Sequence, residues 1–120
     1  MKKNFADWLT HIESFHPSEI ELGLDRIKCV AKRLDLLSPS ASVVLVAGTN
    51  GKGSCVAMLE SLTLTQNKNV ATSTSPHLLT FNERIRINGH NVDDHILVEA
   101  FEKIEAERGQ ITLTFFEFTT

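Results

Sequence analysis

Gly48-Thr-Asn-Gly-Lys-Gly-Ser54 is the stretch of this chain best equipped to do chemistry. Holding a phosphate takes backbone amides that can come close, which glycine permits, at a helix start whose dipole favours an anion. It also takes a cation that reaches the outer phosphates, and Lys52 stands where that cation belongs. The standard phosphate loop reads Gly-x-x-x-x-Gly-Lys-Ser/Thr, and this one departs from it. Position 46 is Val46 rather than glycine, position 53 is Gly53 rather than a hydroxyl residue, and the hydroxyl is displaced to Ser54. The loop is therefore shorter at its front, and an oxygen for magnesium has to come from elsewhere.

Such a loop needs a strand before it and a helix after it. The apolar run Val43-Val-Leu-Val-Ala47 predicts a strand covered on both faces, as in a parallel sheet. Cys55, Met58, Leu59 and Leu62 mark the core face of a helix over about 52–66, which puts the Cys55 thiol in the core. Val70 to Thr74 reads as a second strand, and the connection over 48–69 is long enough for a parallel crossover. A right-handed crossover ends both strands at one sheet edge, where ligands collect. Ser75, just past the second strand, would then lie within about 10 Å of the loop. It is a candidate magnesium or phosphate contact, with a simple strand-end turn as the alternative. Pro76 biases the backbone at Ser75 towards an extended form.

Upstream, Phe5, Trp8, Leu9, Ile12 and Phe15 recur at helical spacing over 4–15, with Trp8 as a core anchor. Leu24, Ile27, Ala31, Leu34 and Leu37 predict a second helix, ended by Pro39. Downstream, Arg84 to Ile87 alternates like a strand, and Asn88-Gly89 is a hairpin turn signal. Asp93 or Asp94 can cap a helix carrying Leu97, Ala100, Phe101 and Ile104, which Gly109 stops. Thr114-x-x-Glu117 has the spacing of a capping box. A helix that starts so near residue 120 suggests a chain incomplete at that end, while a closing strand over 111–120 is the competing reading. Glu83, Arg84 and Arg86 either touch a substrate or form a solvated strand face. His77 reads as a loop residue open to solvent, and His11, His16, His90 and His95 have no zinc spacing.

The whole chain has 120 residues, with 12 Lys and Arg against 15 Asp and Glu for a net charge of −3. Hydrophobic residues make up 42% and charged ones 22%, which excludes an acidic disordered tail, a collagen-like repeat and a polybasic nucleic-acid arm. No apolar run approaches the roughly 20 residues of a membrane span, and no signal-peptide core follows Lys2-Lys3. Cys29 and Cys55 form no disulfide framework, so a reducing cytoplasm is expected, with neither nucleic acid nor membrane as partner.

With these residues in view, the sequence resembles the folylpolyglutamate synthase and dihydrofolate synthase family, relatives of the Mur ligases. The resemblance rests on Gly48 to Ser54, on Thr74-Ser-Pro-His-Leu78, and on Phe81-Asn-Glu-Arg-Ile-Arg-Ile87. Glu21-Leu-Gly-Leu24 and Leu113-Thr-Phe-Phe-Glu-Phe118 occur in the family's order around them. The resemblance spans the whole chain but only the opening part of a family member, and is nearest the bacterial bifunctional enzymes. It implies an α/β fold, a P-loop-containing parallel sheet with flanking helices, as in a truncated Mur ligase-like ATP-binding domain. Residues 1–120 would be the N-terminal part of that domain, with 1–42 a helical lead-in and 43–120 the P-loop portion, incomplete at its C-terminal end.

The activity implied is an ATP- and magnesium-dependent ligase that adds L-glutamate to dihydropteroate or folate through an acyl phosphate, in a protein monomeric at full length. Gly48, Thr49, Asn50, Gly51, Lys52, Gly53 and Ser54 would bind ATP, with Lys52 catalytic, and Ser75 would ligate magnesium. Glu21, Leu22, Gly23, Leu24, Thr114, Phe115, Phe116 and Glu117 would hold the pterin, with Phe116 as an aromatic wall. The family draws further magnesium ligands and a whole C-terminal domain from beyond residue 120, so these residues alone are expected not to turn over. The rival readings are a small P-loop kinase or GTPase, which would want a strand ending in a magnesium-holding Asp, and a non-catalytic nucleotide-binding module.

Overall fold

A computed structural model describes residues 3–15 and 23–120. They form two compact units, one built from 1–42 with 95–120 and the other from 43–94.

In the first unit, Asn4 starts helix α1 (Phe5–Glu13) with a reciprocal cap: its side-chain oxygen accepts the Asp7 amide, and the Asp7 carboxylate accepts the Asn4 amide. The helix buries Trp8 and Ile12. Helix α2 (Asp25–Arg33) buries Val30 and ends earlier than Leu37, because Leu34 caps it and Asp35 turns left-handed at φ 56°. Helix α3 (Lys52–Thr65) belongs to the other unit. Helix α4 (Asp94–Arg108) buries Leu97 and Phe101 and stops at Gly109, whose φ of 54° suits a residue without Cβ. The Arg33 guanidinium donates to the carbonyls of Glu107 and Arg108 there, satisfying the orphan end of α4.

Helix α5 (Phe115–Thr119) begins with the anticipated capping box, so the strand alternative over 111–120 is set aside. It buries Phe118 beside Phe15 and Phe101, with centroids 5.6 and 5.8 Å apart. The core of this unit is thus an aromatic cluster joining the two ends of the chain. This cluster is what groups 95–120 with 1–42 in one unit.

In the second unit, helix α3 (Lys52–Thr65) is followed by strands β1 (Ala71–Ser73), β2 (Ile85–Ile87) and β3 (His90–Asn91). The sheet runs β1-β2-β3 and is antiparallel throughout, with Thr72 opposite Arg86 and Arg86 opposite Asn91. Asn88 and Gly89 both have positive φ, 49° and 84°, which gives the β2–β3 hairpin the turn its dipeptide foretold.

Two expectations are not met among the described residues. Val43 to Ala47 joins no ladder, and Val43, Val44 and Leu45 are 73–90% exposed. A strand exists only by its partners, and none of the described residues pairs with this run, so the parallel crossover is not formed among them. The apolar face of α3 is likewise open: Cys55 is exposed, as are Met58, Leu59 and Leu62. The helix turns Glu60 inward instead, where its carboxylate accepts Arg86 Nε at 3.1 and 3.2 Å. Arg86 also donates to Asn91 and to the Gly89 carbonyl, so one guanidinium ties helix, strand and turn together. Replacing Arg86 with Leu strands a buried carboxylate and should cost about 2 kcal/mol, read as a lower urea midpoint. Adding Glu60→Leu should recover most of that loss, since both partners are then apolar.

Candidate functional site

The start of α3 is built differently from the other helix starts. Gly51 precedes it with φ 77°, a conformation that favours glycine, and its carbonyl accepts the Cys55 amide at 3.0 Å as the first helical bond. The amides of Lys52, Gly53 and Ser54 are the orphan donors of that first turn. No side chain caps them and no acidic residue lies among them, whereas α1 and α5 each fill that place with a carboxylate of their own. An anion from outside is what this helix start is fitted to receive. The Lys52 ammonium lies across the loop, donating to the Gly48 carbonyl at 2.6 Å and the Thr49 carbonyl at 3.4 Å. It has three donors in all, so it is parked at the loop mouth with one still to give. All seven residues from Gly48 to Ser54 are exposed. A Cβ added at Gly53 would meet nothing within 4 Å, so the missing hydroxyl of the standard pattern is a choice of sequence rather than of space.

Ser75 is exposed and precedes a cis Ser75–Pro76 bond. The loop around it is stapled. The Thr74 amide donates to the Arg84 carbonyl at 2.9 Å, and Arg84 Nε donates to His77 Nδ1 at 2.8 Å. The Glu83 carboxylate accepts the amides of Leu78, Leu79 and Thr80 at 2.9, 2.8 and 2.7 Å. Those amides hold its carboxyl below the usual carboxylate range. Glu83, Arg84 and Arg86, left open between substrate contact and solvated face, are thus all engaged in fixing this unit. A magnesium site cannot be completed from side chains here: no group of three or more His, Cys, Asp or Glu among the described residues could hold a metal. Ser75 would supply one oxygen, with the nucleotide and water as the natural source of others.

Of the residues assigned to the pterin, Glu21 and Leu22 lie outside those described. Gly23 and Leu24 are exposed ahead of α2. The structure brings this start together with that of α5 through a residue the sequence reading passed over: Arg26 forms a bidentate pair with Glu117, Nε to Oε1 at 3.3 Å and Nη2 to Oε2 at 3.0 Å. Nothing in the sequence spacing links these two, so only the fold could reveal them. Glu117 also accepts the Thr114 amide and returns its own amide to the Thr114 hydroxyl. Both side chains are therefore spent on the helix start, while Phe115 is half-buried and the Phe116 ring, 68% exposed, is open to a ligand.

Burial raises the Glu117 pKa, but the Thr114 amide, Arg26 and the Thr114 hydroxyl together outweigh it and leave the carboxyl below its ordinary value. A depressed carboxyl contributes stability above its unfolded pKa, about 4.3, and loses it as pH falls through the folded one. Thermal melts should show the chain weakening below about pH 4, with Glu117→Gln less stable at neutrality but flatter over that acid range.

No helix among the described residues is long and apolar enough to cross a membrane. No family model matches the chain. It is 42% identical over 115 residues to the dihydrofolate synthase/folylpolyglutamate synthase of Escherichia coli, a match covering 96% of this chain and 27% of that protein. The crystal structure of the bifunctional folylpolyglutamate synthase/dihydrofolate synthase of Yersinia pestis complexed with AMPPNP and Mn ion is 46% identical, with a TM-score of 0.91 over 97% of this chain and 28% of that one. Escherichia coli FolC in complex with DHPP and ADP is 40% identical, with a TM-score of 0.92 over 98% of this chain and 28% of that one. The chain spans about a quarter of the length of these relatives.

Proposed function

The chain is homologous to the dihydrofolate synthase/folylpolyglutamate synthase family over the part of those proteins that it spans, and from this we infer that it is the phosphate-binding portion of an ATP-dependent amide ligase. The observation that carries the reading is the start of α3: three uncapped amides, no carboxylate in the first turn, and Lys52 held at the loop mouth. The finer architecture goes with it. We take Val43 to Ala47 to be a strand of a parallel, Mur ligase-like sheet, and residues 1–120 to be part of its ATP-binding domain.

The reaction joins the amino group of L-glutamate to a carboxylate of dihydropteroate or of folate. A carboxylate is a poor electrophile until its oxygen becomes a phosphate leaving group. ATP therefore phosphorylates it first, and glutamate nitrogen then displaces phosphate from the acyl phosphate. The amides of 52–54 and the Lys52 ammonium stabilise charge on the transferring phosphoryl group. A divalent cation, when bound, neutralises the triphosphate, and Ser75 is its candidate protein ligand. Phe116 is the candidate wall for the flat pterin ring, beside the Thr114 to Glu117 turn and the Glu21 to Leu24 segment. Relatives of this chain bind AMPPNP with manganese, and ADP with DHPP, in keeping with this division of roles. We place the protein, as a monomer, in the cytoplasm, where the exposed thiols of Cys29 and Cys55 remain free.

The metal assignment is tested by moving the hydroxyl. Ser75→Ala in the intact protein should raise the manganese needed for half-maximal AMPPNP binding by about 10- to 100-fold, measured by calorimetric titration. Gly53→Thr, which restores the hydroxyl of the standard loop into open space, should recover part of that loss in the double variant. Unchanged manganese dependence in Ser75→Ala would remove Ser75 from the site.

A further inference from the structure

In a capping box the glutamate ordinarily accepts one amide, that of the N-cap residue, here Thr80. Glu83 takes three in succession. Its Oε1 accepts Leu79 and Thr80, and its Oε2 accepts Leu78. The two extra amides belong to a segment that burial does not hold, since Leu78 and Leu79 are 89% and 90% exposed. Ordering such residues costs backbone entropy that no burial offsets here. Within this segment the counterweight is a single carboxylate making charge-assisted bonds to three amides. Upstream, the loop is fixed by the Thr74 amide on the Arg84 carbonyl and by His77, held between Arg84 and the Phe81 ring. Ser75 lies between those fixed points.

From this arrangement we propose that Glu83 is a positioning residue for the metal site: through the amides of 78–80 it holds the loop that presents the Ser75 hydroxyl. The proposal rests on the reading of Ser75 as a metal ligand. With both oxygens committed to amides, Glu83 acts through the loop and not as a ligand itself.

The test uses the intact protein and two readouts, hydrogen exchange of the amides of 78–80 and the manganese dependence of AMPPNP binding. Glu83→Ala should speed exchange at all three amides and raise the manganese requirement by about 10-fold. ADP affinity without metal should stay within about 2-fold, since the amides at the start of α3 are untouched. Glu83→Gln, which keeps one acceptor oxygen, should fall between wild type and Glu83→Ala, and it serves as the variant of record if the alanine form is unfolded. Faster exchange with unchanged manganese dependence, or an equal loss of metal-free ADP affinity, would overturn the proposal. Ser75→Ala run alongside separates the two ideas. If it shifts the manganese requirement and Glu83→Ala does not, positioning fails alone; if neither does, the ligand reading falls and takes this proposal with it.

Discussion

Lys52→Ala in the intact protein is expected to lower ATP-dependent amide formation by about 10²- to 10³-fold, the loss seen when one preorganised donor is removed from a developing charge. The structure separates this effect from folding. Lys52 is exposed, and its partners are two carbonyls of its own loop, so its removal should move stability by no more than about 0.5 kcal/mol. Lys52→Arg should restore little. The ammonium is a compact point charge able to sit on two adjacent carbonyls, whereas a planar guanidinium has its donors fixed in a fork. Rate assays with saturating nucleotide, paired with urea unfolding, decide the matter. Full activity in Lys52→Ala would show that the loop amides suffice and that the lysine is incidental.

Phe101→Ala is the corresponding expectation for stability, a loss of about 3–5 kcal/mol. The ring is 4% exposed and stands among Phe5, Trp8 and Phe118, at centroid distances of 6.4, 6.0 and 5.8 Å. Truncation therefore forfeits a large transfer term and leaves a cavity whose rigid aromatic walls collapse poorly. Phe116→Ala is the control: a ring of the same size at 68% exposure should change the unfolding free energy by at most about 0.5 kcal/mol. A small loss for Phe101→Ala would mean that the aromatic cluster closes over the gap.

What could be read beforehand was local. Glycine placement, the Asn88-Gly89 turn, the Thr114-x-x-Glu117 box and the helix over 52–66 each depend on neighbours a few residues away, and each stands in the structure. What could not be read depends on partners distant in sequence. The run at 43–47 has the composition of a covered strand, but strand pairing needs a second chain segment that the described residues do not provide. Nothing in the sequence reading pointed to Glu60; its burial goes with its ion pair to Arg86, twenty-six positions away. The family resemblance named the loop, Ser75 and Glu117, yet it said nothing of Arg26, whose pairing with Glu117 joins the starts of two helices.

The aromatic cluster has a bearing on the order in which the chain matures. Joining Trp8 to Phe101, and Phe15 to Phe118, brings together segments far apart in sequence. Such distant pairings meet the entropy of closing a long loop before any burial compensates it. Residues 43–94 make their sheet and their Glu60–Arg86 tie within a short span. During synthesis the loop at 48–54 and the hairpin can thus take shape while the first helix still waits for its aromatic partners to leave the ribosome, and Phe118 is the last to arrive among those described.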